Sequence, residues 1–192
     1  MRTFQKKMMM MFVLAGSMLL VGCASGSQVG KLSKAERNRG KLLFSFLDYM
    51  QKTPVQEVDQ NVLASQYLAV VPADSTRQAR FKGILAGTKE QLKDMNLRDY
   101  AAVPWPKYPY PDKLPRLVDD AEPITHIMGE PIKQKAPPTA EEKKEFREQI
   151  IVVYEKDNIE QPAFYALFDK KSGKIAAWVM IKQGEYHYFL TY

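Results

Sequence analysis

Few side chains in this 192-residue chain are of types that do chemistry outright. They are one thiol, Cys23, two imidazoles, His126 and His187, and a short acidic run, Asp119-Asp120 with Glu122. The thiol is the strongest nucleophile among them and forms thioethers readily. A single cysteine closes no intramolecular disulfide, so the fold must rest on its core. The two histidines are far apart, and neither has a carboxylate or second imidazole at ligand spacing. Each therefore reads as a surface or strand histidine, and no metal is called for. The acidic run follows "KLPRL" and reads as an exposed loop, where adjacent carboxylates are poor general acids. There is no nucleophile elbow, phosphate-binding loop, HExxH or paired-cysteine motif. The expectation is a non-enzymatic protein with no catalytic residues and no cofactor.

Cys23 stands at the end of a three-part segment: cationic from Met1 to Lys7, apolar from Met8 to Val21 apart from Gly16 and Ser17, then small at Gly22. That is the plan of a secretory signal. The apolar run is shorter than the roughly 20 residues needed to cross a bilayer core, so cleavage is expected over retention. Leu20-Val21-Gly22-Cys23 resembles the lipobox of bacterial lipoproteins. The resemblance implies cleavage between Gly22 and Cys23 and acylation of Cys23 on thiol and amine, a palmitate-type anchor. Several chains on one residue anchor stably where one would not. Ala24 stands where an aspartate would imply inner-membrane retention, so the same resemblance implies the outer membrane, with the domain facing the periplasm.

Formal net charge is +6, of which Arg2, Lys6 and Lys7 contribute half. No dense basic stripe of the kind that binds nucleic acid is evident. Composition, 45% apolar and 26% charged, is that of a globular chain. The expected organisation is a signal peptide at 1–22, a lipidated Ser/Gly-rich tether at 23–32, and one domain at 33–192. Within that domain, 33–99 should be helical, 104–115 a Pro-rich crossing, and 149–192 the main sheet.

Four stretches carry helix-start chemistry, a hydroxyl followed three residues later by Glu or Gln. They begin at Ser33, Thr53, Ser75 and Thr139. Leu43, Phe46, Leu47 and Met50 give the first helix an apolar face; Phe81, Ile84, Leu85, Thr88, Leu92 and Met95 do so for the third. "PWPKYPYPDKLP" holds five prolines and three aromatics and should be an extended surface crossing. In "EPITHIMGEPIKQ", Ile124, Ile127, Met128 and Ile132 could form a strand or a short helix closed by Gly129. "QIIVVYEK", "AFYALFDK", "KIAAWVMIK" and "EYHYFLTY" are strand-like runs with gaps too short for parallel crossovers. The fold class is α+β: N-terminal helices packed on a C-terminal antiparallel β-meander of about four strands.

The opening "LLFSFLDYMQKTPVQEV", followed by "FYALFDKKSGKIAAWVMI", is similar to small NTF2-like or cystatin-like exported domains. That likeness implies helices packed into the concave face of a curled sheet, where a cone-shaped pocket can remain, open or filled. Gly129-Glu130-Pro131 before "IIVVYEK" is similar to the Gly-x-Pro that closes a helix in small lipoproteins assisting barrel assembly.

Outside the expected core, Trp105, Tyr108 and Tyr110 are the candidate partner-binding residues, since rigid aromatics beside proline lose little entropy on binding. The alternative is that they form a lid on the sheet, and a split is expected, with Trp105 as lid and Tyr108 or Tyr110 exposed. The functional expectation is an anchored, non-catalytic binding or scaffolding lipoprotein holding an envelope protein or an apolar ligand. Alternatives are an accessory subunit of outer-membrane protein assembly or secretion and, third, an enzyme built on an NTF2-like pocket.

Overall fold

Ser33 caps the first helix as its sequence demands: its hydroxyl accepts from the Glu36 amide, and the Glu36 carboxylate accepts from the Ser33 amide. This opens α1, Lys34–Lys52, which buries Leu43, Phe46, Leu47 and Met50. The computed structural model describes residues 30–117 and 138–190, with the backbone alone of 126–127 and 130–131. The signal segment with Gly22 and Cys23, Ala24, the acidic run Asp119-Asp120 with Glu122, and Gly129 lie outside the described residues.

Thr53 does not start a helix. It is the C-cap of α1, its amide donating to the Tyr49 carbonyl at 3.0 Å. The cause is distant in sequence: Lys89 Nζ donates to the carbonyls of Gln51 and Thr53, each at 2.9 Å, which satisfies the helix end and places a cation at its negative pole. Val55–Glu57 is then a single 3-10 turn. α2, Gln60–Val62, is capped by Asp59 and widens into a π-turn over Leu63–Tyr67. α3, Ser75–Leu92, is capped by Asp74, one residue before the expected Ser75. Its buried stripe is Phe81, Leu85, Thr88 and Leu92. Gln51 returns the favour at the far end of α3, donating to Leu92 and Met95 carbonyls at 2.7 Å.

The strands are β1, Tyr100–Pro104; β2, His126–Ile127; β3, Glu130–Pro131; β4, Ile150–Glu155; β5, Asn158–Phe168; β6, Ile175–Ala177; β7, Met180–Gln183; and β8, Tyr186–Phe189. The α+β class with helices N-terminal and antiparallel strands C-terminal is established. Its sheet is not a simple meander. The order is β1-β4-β5-β6, so an edge is supplied by β1, from before the crossing, while β7 and β8 form a separate hairpin. Gly173 and Gly184 take φ of +68° and +61° in the β5–β6 and β7–β8 turns, where a side chain would be strained. Pro162 sits opposite Tyr154 at a bulge, where β5 has no strand partner on its other side among the described residues. β2 pairs with β3 as a short hairpin, so Glu130-Pro131 is strand rather than a helix end, which removes the Gly-x-Pro likeness.

α4, Ala140–Glu148, begins with the expected Thr139–Glu142 capping box. It belongs to a layer the sequence concealed. β4 is buried on both faces: Ile151 and Val153 meet α1 and α3, while Ile150, Val152 and Tyr154 join a second core with Val103, Trp105, Tyr108, Leu117, Leu167, Ala177 and Phe189. Phe146 of α4 packs on that second core. The sheet therefore lies between two layers, one helical and one built from the Pro-rich crossing, α4 and the last hairpin.

Between helices and sheet, the interior that a cone would leave open holds Phe46, Phe81 and Trp178. Trp178 meets Phe46 edge-on at 5.0 Å and Phe81 at 6.2 Å between ring centroids. Its indole N–H donates to Thr88 Oγ1 at 2.9 Å, and that hydroxyl donates to Ile84 O at 2.8 Å. Thr88→Val removes this acceptor from a buried site and should cost about 1–3 kcal/mol in urea melts. An unchanged midpoint would show that the indole does not depend on Thr88.

Candidate functional site

The crossing is less extended than its prolines suggested. Trp105–Lys107 and Pro111–Lys113 are 3-10 turns, each with proline in a first-turn position where no amide donor is needed. They fold the aromatics back on the sheet. Trp105 and Tyr108 are only 8% and 4% exposed. Trp105 tilts against Tyr165 at 5.8 Å, and Tyr108 meets Tyr154 edge-on at 5.9 Å. The Tyr108 hydroxyl donates to the Ile159 carbonyl. Trp105 is thus the lid expected of it, Tyr108 is lid as well, and Tyr110 is half-buried at the edge of Tyr108. The expectation that Tyr108 or Tyr110 stays free is corrected: the compact turns turn both rings toward the sheet.

What remains accessible is the outer side of this lid. A groove of about 500 Å³ is lined by Trp105, Pro106, Tyr108, Pro111, Leu114 and Pro115, with Arg116, Lys144 and Arg147 adding positive charge. The crossing supplies the apolar floor, and α4 supplies two of the cations. Among the described residues, no carboxylate lines it. Arg116 pairs with Glu185 at 3.1 Å and Lys144 with Glu141 at 3.8 Å, both exposed pairs that are weak in water. The prolines fix the backbone, so the floor loses little entropy when a ligand settles on it.

The lid is also electrostatically tuned. Burial, followed by the neighbouring Tyr154, Tyr110, Asp112 and Glu160, pushes the Tyr108 phenol up to about 12. Burial raises Tyr154 and Tyr165 too. These phenols are held neutral in the fold, so their contribution is fully present below the unfolded value of about 10 and is lost as pH rises through the folded one. Thermal melts should therefore fall steeply above pH about 10, and Tyr108→Phe should flatten that fall while losing the hydrogen bond to Ile159. An equally steep fall in the variant would contradict the assignment.

The crossing is tied to the start of the domain. Lys107 Nζ pairs with Glu36 at 2.7 Å, among the less exposed ion pairs, and donates to the Lys31 carbonyl at 3.2 Å. Partial burial works to raise Glu36, but hydrogen bonds from Lys107 and Ser33 outweigh it and hold the carboxyl below its usual range. Leu32 packs on the second core, so the end of the 23–32 segment is part of the folded domain.

His187 is half-buried in β8, where its amide donates to Arg116 O at 2.7 Å. Its Nδ1 is buried with no hydrogen-bond partner among the described residues. For His126 only the backbone is described, paired with Pro131. Among the described residues there is no group of three or more His, Cys, Asp or Glu placed to hold a metal, and no helix long and apolar enough to cross a membrane. The groove carried no motif in the sequence: Lys144 and Arg147 share a face of α4 at i, i+3, but Arg116 and the aromatic floor join them only through the fold. No family model, curated protein or solved structure matches this chain.

Proposed function

We propose that this chain is a lipoprotein of the outer membrane, anchored through Cys23 and facing the periplasm, whose domain binds or scaffolds without catalysis. The observation that carries the binding role is the groove: a rigid apolar floor of Trp105, Pro106, Tyr108, Pro111, Leu114 and Pro115 beside Arg116, Lys144 and Arg147, with no carboxylate among the described lining residues. Such a lining favours a ligand with an apolar body and an acidic end, for which an acidic segment of an envelope protein is a fitting class. The anchor is supported by the lipobox-like Leu20-Val21-Gly22-Cys23 behind a signal-like segment.

The test is purification of the anchored protein in mild detergent, comparing wild type with Leu114→Glu and Lys144→Glu. Both positions line the groove, and neither belongs to the fully buried core. A stoichiometric partner held by wild type and lost by both variants, at unchanged melting temperature, is the expected result. A partner retained by both variants would move the binding site elsewhere.

A further inference from the structure

The segment 30–41 holds five basic residues, Lys31, Lys34, Arg37, Arg39 and Lys41, and one carboxylate, Glu36. Its net charge of four exceeds the three left on the whole chain after Cys23, so the rest of the mature chain is slightly acidic. The fold sorts these charges. Glu36 is turned inward onto Lys107 and Ser33, and Arg39 reaches the Glu148 carbonyl at 2.9 Å beside the Phe168 ring. Lys34, Arg37, Asn38 and Lys41 are all exposed, at the i, i+3, i+4 and i+7 spacing that makes one stripe of a helix. Arg37 also donates to the Leu32 carbonyl at 2.5 Å. Among the described residues, no carboxylate pairs with Lys31, Lys34, Arg37 or Lys41. The stripe runs about 10 Å along the helix axis.

We infer that this stripe of α1 docks on the anionic phospholipid headgroups of the membrane that carries the anchor. The occupant follows from where the chain goes: six residues lie between Cys23 and Gly30, seven Cα steps with a contour of at most roughly 25 Å. A reach that short in any conformation confines the basic stripe close to the headgroups. Basic residues near a charged bilayer add to an acyl anchor, and their attraction decays within a Debye length. The inference rests on the lipoprotein reading of Cys23. Docking through α1 leaves the groove, which neither Lys34, Arg37 nor Lys41 lines, open to a partner.

The experiment places an environment-sensitive fluorophore at Asn38→Cys in the full, processed chain, where acylation would block Cys23 from labelling. The protein is reconstituted in phosphatidylcholine vesicles with or without phosphatidylglycerol, and the mass of residue 23 is read from the same preparation. The expected result is a blue shift only with phosphatidylglycerol. It should be reversed in salt of about 1 M, where the Debye length falls to about 3 Å. It should also be lost in the triple variant Lys34→Glu, Arg37→Glu, Lys41→Glu, with roughly a hundredfold fall in the docked-to-free ratio. The salt arm keeps the test valid should the triple variant fold poorly. An acylated protein whose label ignores phosphatidylglycerol overturns the docking alone. An unacylated Cys23 overturns both the docking and the anchor.

Discussion

Trp178→Ala should destabilise the domain by about 3–5 kcal/mol, the range for removing a large aromatic from a core that cannot collapse around the loss. Trp178 sits between β6 and β7, where the chain leaves the main sheet for the last hairpin. Its ring fills the space between Phe46 of α1 and Phe81 of α3, and its N–H ends on Thr88. Truncation therefore opens a cavity, removes two edge-on aromatic contacts and leaves Thr88 Oγ1 without its indole donor. Against a typical domain stability of about 5–15 kcal/mol this is a large share. Urea denaturation followed by circular dichroism gives the loss directly, and a cost below about 1 kcal/mol would mean that the helices close over the gap.

Trp105→Ala and Tyr108→Ala should each cost about 3–5 kcal/mol as well, because both rings are sealed into the second core. Tyr110→Ala, at a half-buried ring on the rim, should stay within about 1 kcal/mol. Thermal melts of the three single variants separate a lid from a free binding strip without any knowledge of the partner. Three small effects would mean that the crossing hangs loose from the sheet, and the groove with it.

How far the fold was legible follows from the range of the interactions that decide each element. The capping boxes at Ser33 and Thr139 close within three residues, and both helices begin where the local pattern puts them. Thr53 carries the same local pattern but ends α1, because Lys89 of α3 satisfies the carbonyls there. A reader of sequence alone has no access to that lysine. β1 was hidden because its short run YAAVP has little alternation and its partner β4 lies about fifty residues on. The second core did leave a trace. "IIVVY" is apolar at every position, the pattern of a strand covered on both faces, and only one cover was anticipated. For the groove, the aromatic half was visible in "PWPKYPYP", whereas Arg116 joins Lys144 and Arg147 of α4 only because the fold packs α4 against the crossing.

The anchoring we propose holds this domain at a membrane surface through Cys23 as its lipid-bearing N-terminus. Mass spectrometry of the mature protein, with Cys23→Ser beside wild type, decides it. Wild type should begin at Cys23 with the added mass of its acyl chains, and Cys23→Ser should accumulate as unprocessed precursor. A mature chain that starts elsewhere, an unmodified Cys23, or a Cys23→Ser variant cleaved as efficiently as wild type would contradict it.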